Sequence, residues 1–290
     1  MKIVLITTLP SLIENKRIEE EARALGHEFK LVNLKEFSFA VEGEGLKIEG
    51  LEDLEADIVI MRGIFNSIKA ISEVVNSLRS RGVKIFDNNF LEHRYSIDKV
   101  TDLLKLSING IPVPKMTYLR DFDLYPDACA KMGYPVVVKS TRMGKGASVY
   151  KLEDESALSS FIDEAENEGK SAKSFIIQEF IPYKYDLRCL IIGDSVFTMR
   201  RIPAEGEFRA NFSLGGEVEV FELDNEGKLL AKDALSAVNM SIGGVDILMT
   251  EANKRYILEV NHTAGFVGME KATGENIGRL FLKHAIVNAI

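Results

Sequence analysis

The sequence predicts a mixed α/β and α+β protein, and three observations carry that expectation. The first ~90 residues alternate between strand and helix patterns, which calls for a parallel sheet with helices on its faces. Residues 136–151 read as strand, glycine loop, strand. From about Asp186 onward strands dominate and helices are few, the pattern of an α+β lobe. With 290 residues at ~150 per domain, the chain has room for two domains or one with an added lobe. It can also bury a sizeable core without staples. The expected units are 1–90, 91–182 and 183–290.

In the first unit, Ile3–Ile6, Phe29–Val32, Ile58–Met61 and Val83–Phe86 are short apolar runs and read as buried strands. Between them, Glu14–Leu25 and Ile68–Arg81 have helical spacing and are closed by Gly26 and Gly82, the usual residues after a helix end. The turn Thr7-Thr8-Leu9-Pro10-Ser11 has no glycine, so a pyrophosphate cannot approach that backbone as in a dinucleotide-binding unit. Gly43-Glu44-Gly45 reads as a surface hairpin turn. A helix is expected from about Ile97 to Ser107, before the extended stretch Ile111-Pro112-Val113-Pro114. Val136–Lys139, Ala147–Lys151 and Phe175–Glu179 read as strands, with Ser156–Glu166 helical. In the last unit Arg188–Ile192, Val196–Ile202, Val218–Phe221, Val245–Met249 and Tyr256–Val260 are the strands. Helices near Lys228–Met240 and Ile277–Ala289 cover them.

Composition removes several classes of function. Lys plus Arg is 36 and Asp plus Glu is 44, a formal charge of −8. That excludes a general nucleic-acid coat and a polybasic membrane binder, while a small basic site remains open. Cys129 and Cys189 lack metal-type spacing, which fits a reducing cytoplasm. The four histidines are scattered, so a zinc hydrolase is not expected. Four apolar residues after Lys2 are too few for a signal-peptide core, and no run approaches the ~18 of a membrane span. No repeat is seen.

The chemistry-bearing residues lie in the second and third units. In the loop 140–147, Gly144 and Gly146 free the backbone to fold over a phosphate. No G-x-x-x-x-G-K-[ST] loop is present. A lid over a triphosphate and a plain hairpin turn both fit, and Lys139 just before the loop favours an anion. Gln178-Glu179-Phe180-Ile181 suits an adenine slot, and equally a strand end running into Pro182. Glu259 and Asn261, two apart on one strand, share a face. With Asp246 on a neighbouring strand they offer three hard oxygen ligands, which favours Mg²⁺; the other reading is a polar outward face. Gly265 and Gly268 follow where a close approach would be needed. Arg188, Arg200, Arg201 and Arg209 suggest carboxylate or phosphate recognition, with about half expected to be ordinary surface charges.

Taken in order, these motifs resemble the ATP-grasp superfamily. The order is Ser-Ile-Asp-Lys at 96–99, lysine before a glycine lid at 139–147, Gln-Glu-Phe-Ile at 178–181 and Asp-Leu-Arg at 186–188. It continues with Glu-Phe-Arg-Ala-Asn at 207–211, Gly-Val-Asp at 244–246 and Glu-Val-Asn at 259–261. Within that superfamily the chain is similar to the RimK-type carboxylate–amine ligases, which include glutamate ligases and LysX-type enzymes. The resemblance implies an ATP-grasp fold with an N-terminal parallel-sheet α/β domain, a central lid subdomain and a C-terminal α+β lobe.

It also implies roles. Lys99 and Lys139 neutralise the ATP phosphates under a lid holding Gly144 and Gly146. Gln178, Glu179, Phe180 and Ile181 hold the adenine, and Asp186 lies on the ribose side. Arg209 and Asn211 reach the phosphates. Asp246, Glu259 and Asn261 carry Mg²⁺, with Mn²⁺ as a substitute. Arg188 and Arg201 are the candidates to hold the carboxylate of the amino acid, because an arginine fork binds a carboxylate in a bidentate way, and with Arg209 they are the catalytic candidates. Arg62-Gly63 is similar to an Arg-x-Gly near the acceptor site, so Arg62, Arg188 and Asn261 are the substrate candidates. The implied partners are ATP, an amino acid and a carboxylate acceptor that is a peptide, a protein C-terminus or a small molecule, in a homo-oligomer.

Two departures stand out. Leu214 sits where the glutamate ligases carry arginine, and Asn261-His262-Thr263 looks like the LysX type. Three readings follow. One is a glutamate-type ligase working through an acyl phosphate. Another is a LysX-like ligase acting on a carrier protein's C-terminal glutamate. The third is a nucleotide-binding protein without turnover.

Overall fold

The computed structural model describes residues 1–43, 45–50, 54–64, 68–86, 98–141, 148–204, 206–209 and 217–290. The chain opens with β1 (Lys2–Thr7), α1 (Ile13–Ala24), β2 (Glu28–Asn33), the hairpin β3 (Ser38–Glu42) and β4 (Gly45–Glu49), β5 (Ile58–Met61), α2 (Ile68–Ser80) and β6 (Lys84–Phe86). Four of these strands form a parallel sheet in the order β2-β1-β5-β6. Both of its faces are buried, so β1 has no polar alternation: Ile3 and Leu5 face one core, Val4 and Ile6 another.

Next come α3 (Lys99–Ile108), β7 (Met116–Thr117), α4 (Tyr125–Met132), β8 (Val136–Ser140), β9 (Val149–Leu152), α5 (Glu155–Asn167) and β10 (Phe175–Glu179). The sheet β7-β10-β8-β9 is antiparallel. Val136, Val138, Phe175 and Ile177 on one face pack with Tyr125, Leu158 and Phe161 of α4 and α5. The last unit holds β11 (Tyr185–Ile192), β12 (Ser195–Ile202), β13 (Glu217–Val220), α6 (Asn225–Ala237), β14 (Ile242–Met249), β15 (Arg255–Asn261), α7 (Val267–Thr273) and α8 (Ile277–Asn288). Its antiparallel sheet runs β13-β12-β11-β14-β15.

The strands therefore sort into sheets as the hydrophobic runs predict, but the helices do not stay with their neighbours in sequence. Helix α3 packs Leu103 and Leu106 against Leu187, Val245 and Ile257 of the third sheet. Helix α8 packs Phe281, Leu282 and Ala285 against Ile3, Leu5 and Ile60 of the first. The backbone of Ile290 pairs with Ile85, extending that sheet. An amphipathic helix needs an apolar sheet face, and its sequence does not say which one. The hairpin β3–β4 flanks the turn read at Gly43-Glu44-Gly45, whereas the short β7 and helices α4 and α7 were not expected, because each is too short to show a period. Among the described residues no helix is long and apolar enough to cross a membrane.

A charged network fastens α1 to α7 and α8. Arg17 reaches Glu21 at 2.6 Å, both carboxylate oxygens of Glu270 at 2.9 and 3.1 Å, and Asn276 at 3.0 Å. Glu21 also accepts from Arg279 at 2.7 Å and Asn276 at 2.9 Å. Burial pushes the Glu21 carboxyl up, but hydrogen bonds from Asn276, Arg17 and Arg279 outweigh it and hold the group at about 2. A carboxyl depressed in the folded state stabilises above its unfolded value and loses that contribution as pH falls toward the folded value. Glu21→Gln is therefore expected to lower the urea midpoint by a constant amount at neutral pH. The gap to wild type should shrink between about pH 5 and pH 2; a pH-independent gap would mean that Glu21 acts through packing alone.

Candidate active site

The charged side chains gather on one face of the five-stranded sheet, and strand register puts them there. Arg188 on β11 stands opposite Asp246 on β14, and Asp246 opposite Glu259 on β15. Asp186 stands opposite Arg201 on β12. The pairing of β14 with β15 shifts register between Asp246 and Ile247, where Ile257 is paired next and Leu258 is the extra residue. That bulge lets Ile257 and Val260 both enter the apolar core while Glu259 and Asn261 turn to the opposite face. Leu258 is left out of the ladder, so unbroken alternation does not describe this strand.

The cations and anions on this face are matched. Arg188 closes its fork on Asp246, with Nε to Oδ1 at 2.9 Å and an Nη to Oδ2 at 2.6 Å. Arg201 bridges Asp186 at 2.5 Å and Asp246 at 2.9 Å. Asp186, Arg201 and Asp246 are all buried. Burial pushes the Asp246 carboxyl up, yet the two guanidinium groups carry it well below the usual carboxylate range. Burial leads at Asp186 and raises it.

Asp186 is held by Arg201 on this sheet face, and the Arg188 fork is filled by Asp246. Arg200, one residue from Arg201 and hence on the other face, lies 5.2 Å from the ring centre of Tyr185 and 5.3 Å from that of Phe221. Arg209 is held by Glu207 in its own loop at 2.8 Å.

Two lysines approach this face from other elements. Lys99, at the start of α3, is ion-paired with Glu259. The helix begins there because Asp98 caps it, accepting from the Thr101 N–H at 2.9 Å. Lys139 is the penultimate residue of β8, and the Lys99 N–H reaches back to the Thr141 carbonyl at 3.2 Å. Lys139 is 7% exposed. Burial first, then the neighbouring Lys99 charge, brings it down to about 8, against the pull of Glu259 and Asp246. Lys139 stands opposite Ile176, and Gln178 lies two residues further along β10, so both belong to the face turned from the α4–α5 core. The Gln178 Nε2 is buried with no hydrogen-bond partner.

Beside Gln178, the Glu179 carboxylate accepts from the Lys115 N–H at 2.8 Å, and the Phe180 ring carries the Lys151 ammonium 4.3 Å from its centre. Ile181 is half-buried next to it. Gly144, Gly146, Asn211 and Leu214 lie outside the described residues.

Beyond Asp246 the same face leads to a small cavity of ≈ 40 Å³ between the first and third sheets, room for a water or two or one carboxylate-sized group. Arg62 lines it and is 5% exposed. Its guanidinium donates to Asn15 at 3.1 Å and to the Ala264 carbonyl at 2.9 Å. Among the described residues it forms no ion pair. Burial lowers it to about 10, with the charge of Glu14 opposing.

Gly243 and Gly244 border this region and allow the close approach expected of Gly268. A Cβ on Gly244 would meet that of Ala264 at 3.0 Å, whereas one on Gly268 would meet nothing. Sequence reasoning also passed over Asp102, which pairs with His262 Nε2 at 2.8 Å. Its spacing of three from Lys99, on one helix face, was the available signal.

The donor set fits a hard divalent cation. Asp246 and Glu259 are adjacent carboxylates, Asn261 lies opposite Gly244 on the same strand pair, and its amide Nδ2 end is buried without a partner. Which end of that amide faces the site is an assignment that a bound cation would reverse. Asp246→Asn, Glu259→Gln and Asn261→Ala are each expected to reduce ADP formation to near background, because removing a charge or an oxygen donor weakens Mg²⁺ without opening a core cavity. Unchanged turnover at ordinary Mg²⁺ would remove these residues from the site. A second expectation concerns Lys139, which is charged below about pH 8. Affinity for an ATP analogue, followed by calorimetry, should fall as pH rises through that value. In Lys139→Met this part of the pH dependence should vanish.

Residues 1–89 match the RimK PreATP-grasp domain model and residues 96–285 the RimK-like ATP-grasp domain model. A probable alpha-L-glutamate ligase of Marinomonas sp. (strain MWYL1) is 29% identical, over 98% of this chain and 95% of its own length. One from Marinobacter nauticus is 30% identical, over 97% of this chain and 94% of its own. Among solved structures, the ATP-grasp ligase PsnB complexed with minimal precursor, Mg and ADP superposes with a TM-score of 0.72 at 20% identity, covering 99% of this chain and 96% of that one. With both of its domain models matched in chain order over nearly its whole length, the chain belongs to the RimK-like ATP-grasp family.

Proposed function

We propose that this chain is an α-L-glutamate ligase, which joins the amine of L-glutamate to a carboxylate acceptor at the expense of ATP. Membership of the family and the two glutamate-ligase relatives support ATP-dependent carboxylate–amine ligation. The observation that carries the reading is the meeting of Lys99 and Lys139 with Asp246 and Glu259. Two ammonium groups from different elements converge beside a pair of carboxylates, the arrangement a metal-bound triphosphate requires.

The acceptor carboxylate attacks the γ-phosphorus of ATP, giving an acyl phosphate and ADP. The glutamate amine then attacks the acyl carbon and expels phosphate, losing a proton as the amide forms. Lys139 and Lys99 offset the phosphate charge. Asp246, Glu259 and Asn261 would hold Mg²⁺, or Mn²⁺ in its place, which supplies positive charge to the phosphate oxygens. Arg188 and Arg201 keep Asp246 ionised and fixed. Phe180 and Ile181 supply apolar surface for the base, next to Gln178 and Glu179. No covalent nucleophile on the enzyme is needed.

Arg62 is the side chain assigned to an acceptor carboxylate, since it is a buried cation facing a cavity and without an ion pair among the described residues. One charge-assisted bond is worth about 1.5–3 kcal/mol, or roughly 10 to 150-fold. Arg62→Ala should therefore raise the acceptor KM by about that factor while the ATP KM changes little. ADP release is measured with L-glutamate and a short peptide ending in a free carboxylate, followed by mass spectrometry of the product. A damaged ATP KM with an unchanged acceptor KM would move Arg62 to the nucleotide side. Turnover with an acidic carrier protein alone would favour the LysX-like reading.

A further inference from the structure

The contact between Asp102 and His262 lies outside the chemistry described so far, and its surroundings give it a use. Asp102 is 5% exposed on α3, one turn from Lys99. Its Oδ2 meets His262 Nε2 at 2.8 Å, and its Oδ1 is buried with no hydrogen-bond partner. A buried carboxylate costs desolvation energy that an apolar side chain would avoid. At this position the carboxylate has one side-chain partner among the described residues, and that partner is His262. The pairing fixes which ring nitrogen faces the helix, and so which edge faces the other way.

His262 lines the cavity that Arg62 enters. It opens the turn 262–266, and that turn is gripped at successive points by different parts of the chain. Asp102 holds His262 from α3. Arg62 holds the Ala264 carbonyl at 2.9 Å from the end of β5. Glu14 accepts from the Phe266 N–H at 3.2 Å from the start of α1. Just before the turn, Lys99 holds Glu259. Helix α3 thus carries two contacts three residues apart: Lys99 to the proposed metal ligand and Asp102 to the wall of the proposed acceptor cavity.

We propose that His262, oriented by Asp102, is a positioning residue for the carboxylate acceptor, and that α3 sets the acceptor cavity in register with the phosphate-binding lysines. This rests on the assignment of the Arg62 cavity to the acceptor. The pair does not bind ATP. It places the turn so that the acceptor carboxylate on the Arg62 side is aligned with the γ-phosphate, and small misplacement is expensive in such a reaction.

The test is steady-state ADP release by the full-length protein, varying ATP and, separately, a short peptide with a free C-terminal carboxylate, with L-glutamate saturating. Asp102→Ala should raise the peptide KM by about tenfold and leave the ATP KM within about twofold. Asp102→Asn still offers an oxygen to the Nε2–H and should recover most of the loss. His262→Ala should match Asp102→Ala, and the double variant should be no worse than either single one. Thermal unfolding of each variant checks that it is folded. Equal rises in both KM values, or no rise in the peptide KM for Asp102→Ala, would overturn the proposal. Arg62→Ala run alongside separates the two assignments. If it raises the peptide KM and Asp102→Ala does not, only the positioning role fails. If Arg62→Ala leaves the peptide KM unchanged, the acceptor assignment of the cavity fails.

Discussion

Asp246 is the point on which the charged face is balanced. It is buried on a central strand pair, with Arg188 and Arg201 on one side and Glu259 on the other. A buried carboxylate of this kind survives only if paired and hydrogen-bonded, and removing one partner of a buried pair typically costs about 3–5 kcal/mol. The two arginines meet that requirement, and in doing so they are drawn out of the role of free carboxylate clamps. In the proposed function, recognition of phosphate and substrate then falls to Lys99, Lys139 and Arg62, which arrive from elsewhere in the chain.

Those three cations share a physical situation. Each is positioned by an element outside the five-stranded sheet, and Lys139 and Arg62 are buried without an ion pair among the described residues. Burial lowers both, and at Lys139 the neighbouring Lys99 charge adds to it. A cation kept under such conditions is poised for an anion, because the arriving charge recovers what desolvation has cost. The site is thus a neutralised floor of paired charges, with unpaired cations at its edges.

The packing of the chain supports that arrangement. Helix α3 belongs in sequence to the segment before the second sheet, yet it lies on the core of the third and delivers Lys99 and Asp102 from there. Helix α8 closes the first sheet from the far end of the chain, and the network around Arg17 and Glu21 ties it to α1. With these ties Arg62, at the end of β5, is held against the turn that follows Asn261.

What the sequence determined by itself was local in character. Apolar runs gave the buried strands, glycines after helical spacing gave helix ends such as Gly26 and Gly82, and the ordered motifs indicated the family. Glu259 and Asn261 could be placed on one face because strand periodicity is a property of the backbone. The partner of each charge could not be read, because pairing depends on register between strands distant in sequence. The bulge at Leu258, the closing of Arg188 on Asp246 and the use of Asp102 to hold His262 were all decided by tertiary structure. A strand carries its own alternation, but only its neighbours decide which of its side chains meet.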